Sequence, residues 1–187
     1  MNTKLEEFKS NINGKKVAVL GLGISNIPAI EYLHRLGAII YAHDIKTQID
    51  ERLKKLNNIT FMLGEDNLKN LKDMDYILRS PGIQPFIKEI EDAQKNGVIL
   101  TSEIELFMEL CPCKIIGITG SDGKTTTTTI VSKFLEKAGY KVWLGGNIGI
   151  PLFAEIDNIK KDDIVVLELS SFQLMTMKQS SNISAIT

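Results

Sequence analysis

The sequence predicts an α/β protein made of two consecutive parallel-sheet domains, residues 1–111 and residues 112–187. Three observations carry this expectation. Short apolar runs of strand length alternate with segments of helical periodicity along the chain. Two of those runs end in glycine-rich turns that open directly into a helical segment, at Gly21-Leu22-Gly23 and at Gly120-Ser121-Asp122-Gly123. Between the two units, Cys111-Pro112-Cys113 interrupts the alternation and marks the boundary.

In the first domain, residues 16–20 are an apolar strand, and residues 25 to about 36 are a helix with Ile27, Ile30 and Leu33 on one face. Residues 38–43 form a second strand that ends at Asp44. A βαβ unit with G-x-G after its first strand and an acid after its second has the pattern of a Rossmann-like dinucleotide fold. Here the pattern is incomplete, because Asn26 stands at the third glycine position. The residues alone therefore leave open an NAD site and a Rossmann-like domain without NAD. Residues 60–63 and 76–79 are short strands, 85–96 a helix and 98–101 a strand. Ser80-Pro81-Gly82 stops the fourth strand, and in an open parallel sheet such loops line one rim together with residues 21–25 and 44–46. Ser102 and Glu105 have the spacing of a capping box at the head of a further helix that runs to Cys111.

The second domain opens with the strand 114–118, followed by Gly120, Ser121, Asp122, Gly123, Lys124 and Thr125 and then a helical segment. Glycines let the backbone turn so that successive N–H groups face anionic oxygens, and the positive end of the helix adds to the attraction. Lys124 has the place of a phosphate-binding cation, and the Thr125 hydroxyl that of a magnesium ligand. The full Walker A spacing requires glycine at position 118, which is Ile, so the shorter G-x-x-G-K-T form carries the assignment. A ligand-free glycine turn needs neither the lysine nor the hydroxyl. Of the five consecutive threonines 125–129, Thr125 and Thr126 lie close enough to the loop to serve it.

Residues 142–144 are a strand closed by Gly145-Gly146-Asn147-Ile148-Gly149, and residues 164–169 a stronger one. Glu168 sits near its C-terminal end, where phosphate-loop folds hold a magnesium ion and where a carboxylate alone also serves as an ion-pair partner. Residues 183–187 begin another strand. About three strands precede it, whereas such a sheet has roughly five or six. The expectation is a fragment whose second domain is cut at Thr187.

Composition narrows the function. The net charge of −1 supplies no positive field for a nucleic acid, and no apolar run approaches membrane-spanning length. The N-terminus lacks the apolar core of a signal peptide, which points to a cytoplasmic protein. Cys111 and Cys113, with no histidine near them in sequence, are expected as free thiols rather than a zinc or C-x-x-C redox site.

Residues 117–126 resemble the ATP loop of the Mur ligases, the amino-acid-adding enzymes of bacterial peptidoglycan synthesis. Residues 145–151, residues 167–174 and Ser80-Pro81-Gly82-Ile83 resemble the D-glutamate-adding branch in particular. The resemblance covers the whole chain. It implies a Rossmann-like parallel-sheet N-terminal domain that binds a UDP-sugar rather than NAD, followed by the first part of a P-loop-type α/β ATP-binding domain. It further implies ATP and Mg2+ as cofactors, and UDP-N-acetylmuramoyl-L-alanine and D-glutamate as substrates of an acyl-phosphate ligase involved in cell-wall biogenesis. No nucleic acid, membrane or obligate protein partner is implied.

Carried over by position, the resemblance assigns Gly120, Ser121, Asp122, Gly123, Lys124, Thr125 and Thr126 to the ATP phosphates. Lys124, Thr125 and Glu168 become the catalytic group, with Thr125 and Glu168 on the metal. Ile24, Ser25, Asp44, Ile45 and Lys46 surround the uridine end, as does the loop of Ser80, Pro81 and Gly82 with its diphosphate. Asn147, Ser170 and Gln173 face the muramoyl-alanine arm. The family's further His, carbamylated Lys and third domain find no counterpart in these residues, so the chain as it stands is expected to be inactive. Three rival readings remain: another Mur-type or folylpolyglutamate ligase, against which residues 170–173 speak; an NAD-binding Rossmann protein; and a simple P-loop ATPase.

Overall fold

The computed structural model describes residues 3–187, which divide into two compact units, Thr3–Glu103 and Ile104–Thr187. The first unit opens with helix α1 (Thr3–Ile12), which buries Leu5 and Ile12. It continues through β1 (Lys16–Leu20), α2 (Asn26–Arg35), β2 (Ile39–Asp44), a one-turn α3 (Glu51–Lys54), β3 (Ile59–Leu63), β4 (Tyr76–Arg79), α4 (Lys88–Lys95) and β5 (Ile99–Thr101). A short 3-10 turn, Leu71–Asp73, precedes β4. The five strands are parallel in the order β3-β2-β1-β4-β5, the order of a Rossmann-like half-sheet.

The central strand explains why the sequence reads so clearly. Val17, Ala18, Val19 and Leu20 are all buried, because a parallel strand covered on both faces needs a continuous apolar run rather than alternation. One face packs Ala18, Leu20 and Ile77 against Ile90 and Ala93 of α4, with Leu71 and Met74 closing the side. The expected helix over 85–96 begins three residues later, at Lys88, after an extended Ile87.

The second unit runs α5 (Glu103–Leu110), β6 (Lys114–Thr119), α6 (Lys124–Lys137), β7 (Val142–Gly146), β8 (Ile164–Glu168), α7 (Ser171–Leu174) and β9 (Ile183–Ile186). Its four strands are parallel in the order β7-β8-β6-β9. The β6 and β8 ends therefore lie side by side, with Ile118 in register with Glu168. Helix α5 groups with this unit, whereas the sequence had placed residues up to 111 in the first; the Lys178 N–H donates to Glu105 Oε1 at 3.2 Å. No helix among the described residues is long and apolar enough to cross a membrane.

Candidate functional site

In the second unit, β6 ends at Thr119 and the chain turns through residues 120–123 into α6. Gly123 caps the helix at φ +74°, a left-handed conformation that strains any residue with a Cβ. The Lys124 ammonium folds back onto its own loop and donates to the carbonyls of Gly120 at 2.8 Å and Ser121 at 3.0 Å. Those carbonyls are weak, neutral acceptors compared with a phosphate, so the charge is parked where a stronger acceptor displaces them.

At the next residue, the Thr125 hydroxyl donates to Glu168 Oε2 at 2.6 Å. The second carboxylate oxygen, Oε1, accepts from the Asn147 amide at 2.9 Å. Asn147 is itself fixed, because its backbone N–H donates to the Glu168 carbonyl at 2.8 Å. The close approach needs glycine at 146, where an added Cβ would lie 2.1 Å from the Glu168 carbonyl oxygen. Glu168 is only 2% exposed, so this carboxylate is desolvated and held by two neutral side chains.

Such a donor set fits a hard cation. Thr125 and Glu168 offer oxygen ligands, and Mg2+ takes few protein oxygens and completes its shell with phosphates and water. Among the described residues, no group of three or more His, Cys, Asp or Glu is placed to hold a metal ion.

The remaining threonines divide by face. Thr128 is fully buried and donates to the Lys124 carbonyl at 2.7 Å, and Thr129 donates to the Thr125 carbonyl at 2.7 Å. These hydroxyls satisfy themselves within α6, which leaves Thr125 and Thr126 at the exposed loop end.

Ser170 and Gln173 stand just beyond Glu168, but their polar atoms serve the backbone. Gln173 Oε1 accepts from the Ser170 N–H at 2.8 Å, and Ser170 Oγ accepts from the Gln173 N–H at 3.3 Å, a reciprocal capping box at the head of α7. Their expected contact with a substrate arm therefore competes with a structural task visible in the spacing S-x-x-Q.

In the first unit the acid at the end of β2 is also occupied. Asp44 Oδ2 accepts from the Leu22 N–H at 2.7 Å and Oδ1 from the Lys46 N–H at 2.8 Å, so it ties both strand-end loops together. Asn26, at the third glycine position, is 2% exposed and turns inward beneath the loop. Its amide donates to the carbonyls of Gly21 at 2.8 Å and Leu20 at 3.3 Å. The departure from the glycine pattern is thus a brace. Ile24 and Ile45 stand out from this rim, 84% and 64% exposed.

A residue that the sequence reading passed over is Arg79, 1% exposed at the end of β4. Its Nη1 donates to the carbonyls of Ser80 at 3.1 Å, Pro81 at 3.3 Å and Ile83 at 2.5 Å, so a buried cation shapes the loop expected to meet a diphosphate. An arginine ending an apolar strand just before Ser-Pro-Gly was the available signal. A concavity of about 410 Å3 lies elsewhere in this unit, lined by Glu65, Asp66, Lys69, Glu89 and Asp92. Asp66 pairs with Lys69 at 2.7 Å and Asp92 with Lys95 at 3.0 Å.

Residues 15–102 match the model of the Mur ligase MurD-like N-terminal domain, and residues 118–187 match that of the Mur ligase middle domain. The chain belongs to the Mur ligase family. Two curated relatives, both UDP-N-acetylmuramoylalanine--D-glutamate ligases, come from Acetivibrio thermocellus at 53% identity and Ruminiclostridium cellulolyticum at 47%. Each alignment covers this chain completely and 41% of the relative. The chain thus spans about two fifths of the length of these family members. The UDP-N-acetylmuramate:L-alanyl-gamma-D-glutamyl-meso-diaminopimelate ligase of Neisseria meningitides, a solved structure, aligns at 20% identity with a TM-score of 0.49 over 83% of this chain and 52% of that one.

Proposed function

We propose that this chain supplies the UDP-sugar and ATP sites of a cytoplasmic ligase that joins D-glutamate to UDP-N-acetylmuramoyl-L-alanine in peptidoglycan synthesis. The observation that carries the reading is the clasp of Thr125 on Glu168 beside Lys124, at the head of α6. The choice of D-glutamate rests on the names of relatives about half identical over the whole chain.

In this reading the 120–126 backbone cradles the ATP phosphates, and the Lys124 ammonium exchanges its loop carbonyls for phosphate oxygens. Thr125 and Glu168 would hold magnesium, which would supply charge neutralisation to the transferred group. The substrate carboxylate attacks the γ-phosphate, releasing ADP and leaving an acyl phosphate. The D-glutamate amine then displaces phosphate through a tetrahedral intermediate. Lys124 serves the first step by balancing charge on the transferred group. Asn147 fixes the direction of Glu168, and Ser170 and Gln173 shape the wall along the muramoyl-alanine arm. Ile24, Ser25, Asp44, Ile45, Lys46, Ser80, Pro81 and Gly82 take the uridine diphosphate.

An NAD site in the first unit is less well supported, because the third glycine of the dinucleotide fingerprint is replaced by Asn26, whose buried side chain braces the loop from beneath. Calorimetric titration of the chain with UDP-N-acetylmuramoyl-L-alanine and, separately, with NADH tests the choice. Heat from the UDP-sugar and none from NADH is expected; the reverse result would overturn the reading.

A further inference from the structure

The two cysteines take no part in either glycine-rich loop. They flank Pro112 in the connection between α5 and β6, and Cys111 Sγ lies 3.6 Å from Cys113 Sγ. Both side chains are partly exposed and neither is in a disulfide. Beyond each other, Cys111 Sγ reaches the carbonyl of Cys113 and Cys113 Sγ that of Lys114, both at 3.8 Å, and the Val165 backbone also hydrogen-bonds to the Cys113 sulfur. The sulfurs are therefore each other's nearest reactive partner, in van der Waals contact before any bond forms.

We propose that Cys111 and Cys113 are a reversible dithiol/disulfide site that reacts with low-molecular-weight disulfides of the glutathione class. The backbone allows the bond. Two residues apart, the α-carbons are separated by at most about 7 Å, and disulfides span about 4.4–6.8 Å. Proline restricts the intervening residue to one φ, so less freedom is lost when the ring closes.

The hydrogen bond also links the ionisation of one thiol to that of the other. The hydrogen bond from Cys113 holds the Cys111 thiol below its usual value, against the opposing effect of burial. The same hydrogen bond, then burial, pushes the Cys113 thiol up. The nearby charged group is the Asp163 carboxylate, which disfavours a thiolate at either position. Either sulfur of the hydrogen-bonded pair can attack first, with the same balance of bonds and electrons; one route starts at Cys111. Its thiolate displaces one glutathione thiolate from glutathione disulfide and forms a mixed disulfide. That step removes the negative charge and the hydrogen bond that kept the Cys113 proton in place. Cys113 then loses its proton to solvent, attacks the Cys111 sulfur and expels the second glutathione thiolate. Two thiols are oxidised and one glutathione disulfide is reduced to two thiols, so the electrons balance.

The site lies at the start of β6, whereas the phosphate loop follows its other end, about 20 Å of strand away at roughly 3.3 Å per residue. Oxidation is therefore expected to leave nucleotide binding unchanged and to act as a staple on the α5–β6 connection.

The test is mass spectrometry of the intact 187-residue chain after incubation with glutathione disulfide, read together with the number of alkylatable thiols. The expected product has lost two hydrogen atoms and both free thiols, with no glutathione attached, and is restored by dithiothreitol. Cys113→Ser and Cys111→Ser should each stop at a mixed disulfide carrying one glutathionyl group. The proposal is overturned if the wild-type chain accumulates a glutathionyl adduct, forms only disulfide-linked dimers, or keeps both thiols while Cys113→Ser is modified. It is equally overturned if neither single variant takes up glutathione.

Discussion

The two glycine-rich loops solve the same backbone problem and use their acids in opposite ways. Asp44, at the end of β2, gives both oxygens to backbone N–H groups of its own loops and is a part of the scaffold. Glu168, at the end of β8, gives both oxygens to side chains, the Thr125 hydroxyl and the Asn147 amide. A hydroxyl can turn and a cation can take its place, whereas a backbone N–H cannot leave without unmaking the loop. A carboxylate near a phosphate loop is therefore read by what occupies its oxygens, not by its position on the strand.

The largest expected effect lies on the exchangeable side of this comparison. On the proposed function, Lys124→Ala is expected to slow acyl-phosphate formation by the ligase about a thousandfold, which corresponds to roughly 4 kcal/mol of transition-state stabilisation. Rapid-quench measurement of the first turnover checks it, with UDP-sugar binding unchanged. Near-normal phosphoryl transfer would mean that the parked ammonium has no role with phosphate.

On the scaffold side, Asp44→Ala leaves the Leu22 and Lys46 N–H groups without their acceptor. A loss of about 1–3 kcal/mol, shared between stability and UDP-sugar affinity, is expected from an unmade pair of this kind. Denaturant unfolding and calorimetry measure the two shares, and ATP affinity should not move. If UDP-sugar binding and stability both survive, Asp44 is not the tie described.

A smaller effect comes from His43, one residue before that acid. Burial holds its pKa below the usual histidine value, and the hydrogen bond to the Asn67 carbonyl opposes this only in part. With the folded pKa below the unfolded value of 6.5, the unfolded chain binds the proton first as pH falls. Stability is then complete above about pH 6.5 and declines below it, by at most about 1.4 kcal/mol per pH unit for one proton. Thermal melts at pH 7.5 and 5.5 should show the decline, and His43→Gln should flatten it.

Much of the fold was legible because parallel strands buried on both faces write continuous apolar runs; residues 16–20 and 76–79 match β1 and β4. Helix α1 was not read, although Leu5 and Ile12 are spaced for one face, because its remaining residues are mostly polar and few apolar positions mark the period. Short turns such as Phe153–Asn158 and Ser171–Leu174 carry too few residues to show a period at all. At the site, the residue types of Lys124, Thr125 and Glu168 were readable, and the structure brings them together. The bracing roles of Asn26, Arg79 and Asn147 were not, since each depends on which carbonyl or carboxylate the fold places beside an amide or guanidinium. Sequence spacing carries no such information across different strands.

The most direct test of the exchangeable clasp is binding of Mn2+ to the chain, followed by electron paramagnetic resonance with and without ATP, in the wild type and in Glu168→Gln. The wild type is expected to hold Mn2+ only when ATP is present, and the variant to bind it about tenfold more weakly, a change of about 1.4 kcal/mol. Equal Mn2+ affinity in the two proteins would contradict the assignment of Glu168 as the exchangeable carboxylate.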